Sequence, residues 1–307
     1  MFDSSLNYLY GVDGGGIYYT RNNGGASATP IPNTPLPNQY NNTPTRGGQA
    51  ALGFYSNNNG MIFSPDGTKA YSVNHNGSSE GFVNDSVTQY DLSTPWDLLT
   101  MGARVGASPS LNVFPSFTDS SPNGVYFSPD GLNLYVVGRS SNRIYRFTLS
   151  TAFVASTATA HSSISPGYIA LNGISFSQDG LKMFITENAN IRRFTLSVAW
   201  DITTAVVDGN ILALFAASQF YFKEDGLAIF SYGGPGGGTR VGKYYLTTPW
   251  DLSSHIATVY SLNLQTLTNV YIGGSIHFSP DGRYLFTNGY TAYSIKRFEL
   301  KRGFKID

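Results

Sequence analysis

Short apolar runs, each stopped by Gly, Pro, Asn or Ser, fill this chain, and no window keeps apolar residues at helical spacing over three turns. The best-formed stretch is Phe127–Val137, FSPDGLNLYVV. An apolar strand ends there in a Ser-Pro-Asp-Gly corner, and an aromatic-aliphatic strand follows. Pro presets φ, Asp bonds back to the backbone, and Gly accepts the left-handed conformation of a short hairpin. The phrase returns as Phe63–Val73 (FSPDGTKAYSV), Phe176–Thr186 (FSQDGLKMFIT), Phe222–Tyr232 (FKEDGLAIFSY) and Phe278–Asn288 (FSPDGRYLFTN). A worn copy, Phe2–Val12 (FDSSLNYLYGV), opens the chain without its turn letters.

Each unit continues alike. A third strand reads Ile144–Leu149 (IYRFTL), Ile191–Leu196 (IRRFTL) or Ile295–Leu300 (IKRFEL), with Val87–Leu92 and Val241–Leu246 as relatives. It turns through Leu92–Asp97 (LSTPWD), Leu196–Asp201 (LSVAWD) or Leu246–Asp251 (LTTPWD) into a fourth run. The turn glycines Gly67, Gly131, Gly180, Gly226 and Gly282 are 64, 49, 46 and 56 residues apart. A period near fifty with four short strands predicts an all-β fold, a β-propeller with one blade per period. Six four-stranded blades are expected over residues 1–307 as a single domain, with five as the alternative. The N- and C-terminal strands should pair to close the ring and remove its open edges. The three tryptophans, Trp96, Trp200 and Trp250, share one place in the repeat, with Phe153 in the third unit, and should wedge between blades.

In such a meander the Ser-Pro-Asp-Gly and Trp-Asp turns share one edge of the disc, and they are uniform. The turns between second and third strands, and the crossovers, occupy the other edge and vary in length and letters. Variable loops on a uniform scaffold are where a partner is met. The candidate contact residues are therefore Tyr40, His75, Glu80, Phe82, Glu187, Arg240, Tyr290 and Tyr293. Residues 22–59, rich in Asn, Pro, Gly and Thr, read as an extended insertion.

Charge narrows the chemistry. Lys+Arg and Asp+Glu are 19 each, so no bulk attraction to nucleic acid or anionic membrane is expected. There is no Cys, hence no disulfide and no thiolate site. Neither a signal peptide nor a membrane-length apolar run is present, so synthesis in a cytoplasm is expected. Asp66, Asp130, Asp179, Asp225 and Asp281 repeat in the corners, and Asp97, Asp201 and Asp251 follow the wedge position. Repetition marks both sets as turn residues. His75, His161, His255 and His277 are scattered, and His277 stands inside a first strand. No zinc, triad or phosphate-loop pattern occurs, so neither a catalytic residue nor a cofactor or metal is assigned. The polar residue before the third-strand aromatic (Gln89, Arg146, Arg193, Lys243, Arg297) is expected near the outer edge with its head in water. Asn59, Asn123 and Asn172 each precede the Gly that enters a first strand, and read as turn-forming Asn-Gly pairs.

The repeated unit resembles the WD-, YVTN- and NHL-type propeller repeats. The longer phrase Tyr90–Leu98 (YDLSTPWDL), echoed by Tyr244–Leu252 (YYLTTPWDL), resembles repeats of tailed-bacteriophage virion proteins. That resemblance implies a non-enzymatic component of a tail, nozzle, fibre or capsid, made in the host cytoplasm. Other virion proteins or a host-surface glycan would be its partners. Six-bladed lactonases and hydrolases are also similar in repeat type. They imply the alternative, an enzyme holding calcium at the channel mouth, for which Asn59, Asn123 and Asn172 would be ligands.

Overall fold

The computed structural model describes residues 8–13, 16–21, 39–42, 60–74, 85–111, 119–214, 219–232, 240–263, 272–289 and 295–299. The chain divides into two compact units, Met1–Pro37 and Asn38–Asp307. In the first, strands β1 (Tyr8–Asp13) and β2 (Gly16–Arg21) form an antiparallel hairpin with Asp13 opposite Gly16. The worn copy of the repeat thus supplies one strand of a two-stranded sheet.

The second unit holds five four-stranded antiparallel sheets among the described residues. It opens with β3 (Gln39–Asn42). The first blade is β4 (Met61–Phe63), β5 (Lys69–Asn74), β6 (Ser86–Leu92) and β7 (Met101–Ala107). The second is β8 (Pro122–Phe127), β9 (Asn133–Gly138), β10 (Arg143–Leu149) and β11 (Ala158–Ile164). The third is β12 (Leu171–Phe176), β13 (Lys182–Glu187), β14 (Asn190–Leu196) and β15 (Ala205–Ala213). The fourth is β16 (Phe220–Phe222), β17 (Ala228–Tyr232), β18 (Arg240–Leu246) and β19 (His255–Asn263). The fifth takes β20 (Ile272–Phe278), β21 (Tyr284–Gly289) and β22 (Ile295–Glu299) from the C-terminal region and β3 as its outer strand.

The fold is therefore a β-propeller, and the described sheets correct six blades to five. Closure runs through β3, with Tyr40 opposite Arg297 and Asn42 opposite Ile295. Gln39–Asn42 lies inside the stretch that reads as an insertion, so part of that stretch is blade. Among the described residues no helix is long and apolar enough to cross a membrane.

The Ser-Pro-Asp-Gly corner works as its letters require. Ser64 Oγ donates to Asp66 Oδ1 at 2.6 Å, and the Lys69 N–H donates back to Ser64 Oγ at 3.0 Å. The same pairs recur at Asp130, Asp179 and Asp281. Where Lys223 replaces the Ser, its ammonium holds Asp225 at 2.8 Å instead. The Ser177 hydroxyl, with the Leu181 N–H, holds the Asp179 carboxyl below its ordinary range against a smaller opposing effect of burial.

The wedge residues join blade to blade. Trp96, Phe153, Trp200 and Trp250 have φ between 58° and 64°, a left-handed conformation that costs a bulky residue about 1–2 kcal/mol. It is offset on several sides. Each wedge N–H donates to the corner Gly carbonyl of its own blade, at 3.0 Å in all four. The Trp rings pack against their own blade and the preceding one: Trp250 on Phe222 and Phe184, Trp200 on Phe176 and Tyr126, Trp96 on Phe63 and Phe286. Phe153 takes the same backbone place and packs on Phe127, as the spacing predicts.

The wedge carbonyls are also bound, in two interchangeable ways. Where the preceding blade has Tyr in its second strand, the phenol donates: Tyr71 to Phe153 and Tyr135 to Trp200, both at 2.6 Å. Where that residue is Phe184 or Phe286, a third-strand guanidinium donates instead. Arg193 reaches the Trp250 carbonyl at 2.9 Å and Arg297 the Trp96 carbonyl at 2.6 Å. The third-strand arginines also face the Asp beyond the wedge: Arg146–Asp201 at 3.6 Å, Arg193–Asp251 at 3.5 Å and Arg297–Asp97 at 3.4 Å. These heads are not in water, which corrects the outer-edge reading. They sit at blade junctions, because the third strand of one blade faces the wedge turn of the next. Gln89 fills the same role as an acceptor, taking the Ala155 N–H at 2.8 Å. Lys243 lies over the Phe230 and Tyr245 rings.

Candidate functional site

The five first strands, β4, β8, β12, β16 and β20, surround an axial cavity of about 380 Å³. Equivalent residues occupy each level because the strands run in the same phase. At mid-height stand Ile62, Tyr126, Ser175, Tyr221 and His277. Gln219 and Ser275, both buried, line the inner end. Pro65, Pro129, Gln178, Glu224 and Pro280, all exposed, form the rim. The mouth therefore lies on the Ser-Pro-Asp-Gly edge. That edge reads as plain scaffold in the sequence, yet it carries the cavity, and the two residues that replace the motif's Pro, Gln178 and Glu224, give the mouth its polarity.

The inner end is closed by amides. Asn123 Nδ2 donates to Asn172 Oδ1 at 2.8 Å, and Gln219 Nε2 donates to Asn123 Oδ1 and to the Asn172 carbonyl, both at 3.1 Å. Asn123 and Asn172 are buried within β8 and β12, so these two are not turn formers, which corrects the Asn-Gly reading for them; Asn59 lies outside the described residues. The glycines beside them have a different cause. Five blades meet so closely at the axis that a Cβ on Gly60 would strike the Asn123 carbonyl oxygen, and one on Gly124 the Asn172 carbonyl oxygen. The Gly60 N–H uses that approach to donate to the Asn123 carbonyl at 2.5 Å. Gln219 and Ser275 stand in the glycine place of the fourth and fifth blades, and Ser275 Oγ accepts the Met61 N–H at 3.1 Å across the closing junction.

Aromatic rings make the wall. His277 stacks on Phe63 with centroids 5.5 Å apart, faces Trp96 at 6.3 Å, and meets Tyr221 edge-on at 5.4 Å. Burial among these rings pushes the imidazole pKa down to about 3, so it is neutral at pH 7. Burial raises the Tyr126 and Tyr221 phenols, with the nearby charge of Glu224 adding to it, and both stay protonated. The cavity thus presents neutral hydroxyls and one neutral imidazole in aromatic surroundings. Among the described residues no group of three or more His, Asp or Glu is placed to hold a metal ion. Because Asn123 and Asn172 are bonded to each other and no carboxylate joins them, they do not make a calcium site as they stand.

The described loop candidates, Tyr40, Glu187 and Arg240, are not among the residues lining the cavity. His75, Glu80, Phe82, Tyr290 and Tyr293 lie outside the described residues. Tyr40 is in the outer strand of the fifth blade. Glu187 ends β13 and pairs with Arg192 at 2.9 Å, while Arg240 begins β18 opposite Asn263. The cavity residues carried one usable signal: at fixed repeat positions they break the pattern, as His277, Gln219 and Glu224 do.

Fold and cavity together define a five-sheet propeller with an aromatic axial pocket. No family model and no curated protein matches the sequence. Solved structures do resemble it. A candidate 6-phosphogluconolactonase of Bacteroides uniformis is 17% identical, over 94% of this chain and 76% of that one, with a TM-score of 0.47. A β-propeller domain of a Myceliophteria thermophila protein is 11% identical over 96% and 80%, with a TM-score of 0.45. Hydrazine synthase of Kuenenia stuttgartiensis is 15% identical over 75% and 54%, also with a TM-score of 0.45.

Proposed function

We propose that this protein is a non-enzymatic structural and binding component of a bacteriophage virion. Its variable-loop edge would contact other virion proteins or a host-surface glycan, without nucleic acid or membrane insertion. The observation that carries the non-enzymatic part is the employment of the carboxylates. The corner aspartates bind their own turns, and Asp97, Asp201 and Asp251 bind the backbone two residues on and the arginine of the preceding blade. Of the loop carboxylates, Glu187 holds Arg192 and Asp208 holds Arg193 at 2.6 Å. Among the described residues this leaves Glu224, at the cavity mouth, as the one acidic side chain that lines the cavity. The outer strands support assembly contacts, since Val206 is 66% exposed and Ile256 68%, apolar surface suited to a partner. The virion assignment rests on the YDLSTPWDL-type phrases. Mass spectrometry of purified particles tests it: the chain should appear in stoichiometric amounts, and its absence from particles would sink the reading.

The second reading is a lactonase- or hydrolase-like enzyme with calcium at the channel. One observation favours it, the convergence of Asn123 and Asn172 at the axis. Binding a cation there would require those amides to break their mutual hydrogen bonds. Calorimetric titration with calcium separates the two readings, and micromolar binding would favour the enzyme.

A further inference from the structure

The axial cavity has a charge pattern that the virion reading does not use, and it stands independently of that reading. Among the described residues lining it, Glu224 is the one acidic side chain. It sits at the mouth, at the position where the other blades have Pro65, Pro129, Gln178 and Pro280. Its neighbour Lys223 is engaged with Asp225 at 2.8 Å, and among the described residues no ion pair involves Glu224. Tyr221, Tyr126, Trp96 and Trp250 line the same cavity, and the neutral His277 brings no positive charge to oppose a cation. A carboxylate above aromatic walls, with hydroxyl and imidazole acceptors inside, is an arrangement that attracts cations. Ring faces attract them through their quadrupole, and enclosure strengthens that attraction. A strongly hydrated metal ion would find too few oxygen ligands here. A weakly hydrated organic cation matches both the walls and the charge.

We propose that the cavity is a binding site for a small organic cation of the alkylammonium class, entering from the Ser-Pro-Asp-Gly edge. Its positive group lies against Tyr126, Tyr221 and the Trp96 side of the wall, beneath Glu224. The closed amide floor of Asn123, Asn172 and Gln219 limits the site to a small molecule.

The test is a titration of the full chain with choline and tetramethylammonium, followed by calorimetry and tryptophan fluorescence. The neutral carbon isostere of choline, dimethylbutanol, is the control. Choline should bind saturably and more tightly than the isostere. Tyr221→Leu should weaken choline about two- to thirtyfold. Glu224→Gln should weaken it about two- to fivefold, the range for a partly solvated charge. Gln178→Glu, which adds a second carboxylate at the equivalent rim position, should tighten it by a similar factor. Both rim residues are exposed, so these two variants keep the fold, which circular dichroism would verify. Equal binding of the isostere would overturn the proposal. So would no saturable response in either the wild type or Gln178→Glu, or choline affinity indifferent to both rim variants.

Discussion

Gly226 lies beneath the indole of Trp250: a Cβ built on the glycine would stand 2.5 Å from Cε2 of the ring. Two phrases that look separate in the sequence, the Asp-Gly corner and the Trp-Asp turn, are thus one packed unit. The Trp250 N–H also donates to the Gly226 carbonyl at 3.0 Å. Gly226 is required twice, by its φ of 70° and by the ring above it. Gly226→Ala should lose about 2–5 kcal/mol, combining the left-handed backbone cost with overpacking. Gly167 is the control, with φ of 82° and nothing within 4 Å of its built Cβ. Gly167→Ala should lose only about 1–2 kcal/mol. Urea unfolding of both variants reads the difference, and equal losses would show that the indole contact contributes nothing.

The two donors to the wedge carbonyls should be exchangeable. Arg193→Gln removes the guanidinium from the Trp250 carbonyl and should cost about 1–3 kcal/mol. Adding Phe184→Tyr recreates the first blade's pairing, in which Tyr71 donates and Gln89 accepts. The double variant should recover about 1 kcal/mol relative to additivity. A double-mutant cycle in denaturant measures this, and strict additivity would refute exchange.

The corners were legible in the sequence because their chemistry is local: Ser64, Asp66, Gly67 and Lys69 satisfy one another within six residues. The blade junctions were not, because Arg193 finds its partner 57 residues on, in another blade. Only the alternation of Tyr71 and Tyr135 with Phe184 and Phe286, set against the third-strand residue, hinted at it. Closure by Gln39–Asn42 was hidden for a related reason. An outermost strand needs ladder hydrogen bonds more than buried side chains, so its letters carry no apolar signal. The cavity has little sequence signal of its own because its mouth lies on the repeated edge, where Gln178 and Glu224 are two replacements of Pro among five near-identical corners.

His277 should make stability depend on pH in a defined window. The unfolded chain takes up a proton near the ordinary imidazole value of 6.5, and the folded chain only near 3. The unfolded state therefore binds more protons between these values, and stability rises with pH across them. Its contribution is complete above about pH 6.5, is lost as pH falls, and levels off below about pH 3. Within the window the slope approaches about 1.4 kcal/mol per pH unit. Asp179, Asp201 and Asp251 have carboxyls held below the ordinary value of 3.8, so their contributions are lost only as pH falls through that value and below. Urea midpoints measured between about pH 4.5 and 7 isolate the histidine. His277→Phe should flatten the profile there; an unchanged slope would place the proton elsewhere.

The amide chain at the cavity floor makes a last prediction, one that bears on the enzyme reading. Asn123 Oδ1 accepts from Gln219, and Asn172 Oδ1 accepts from Asn123, so each side-chain oxygen already has a protein donor. Calcium would have to displace these bonds without a carboxylate to repay the loss. Millimolar calcium should therefore leave the melting temperature unchanged. A micromolar site at about a thousandfold excess of ion would instead add about 4 kcal/mol, a shift of many degrees. Asn172→Ala should cost about 1–3 kcal/mol by leaving the buried Asn123 Nδ2 without its acceptor, and by the same amount with calcium present or absent. A calcium-dependent loss in that variant would show that the amides are ligands after all, and would move the floor of the cavity from scaffold to metal site.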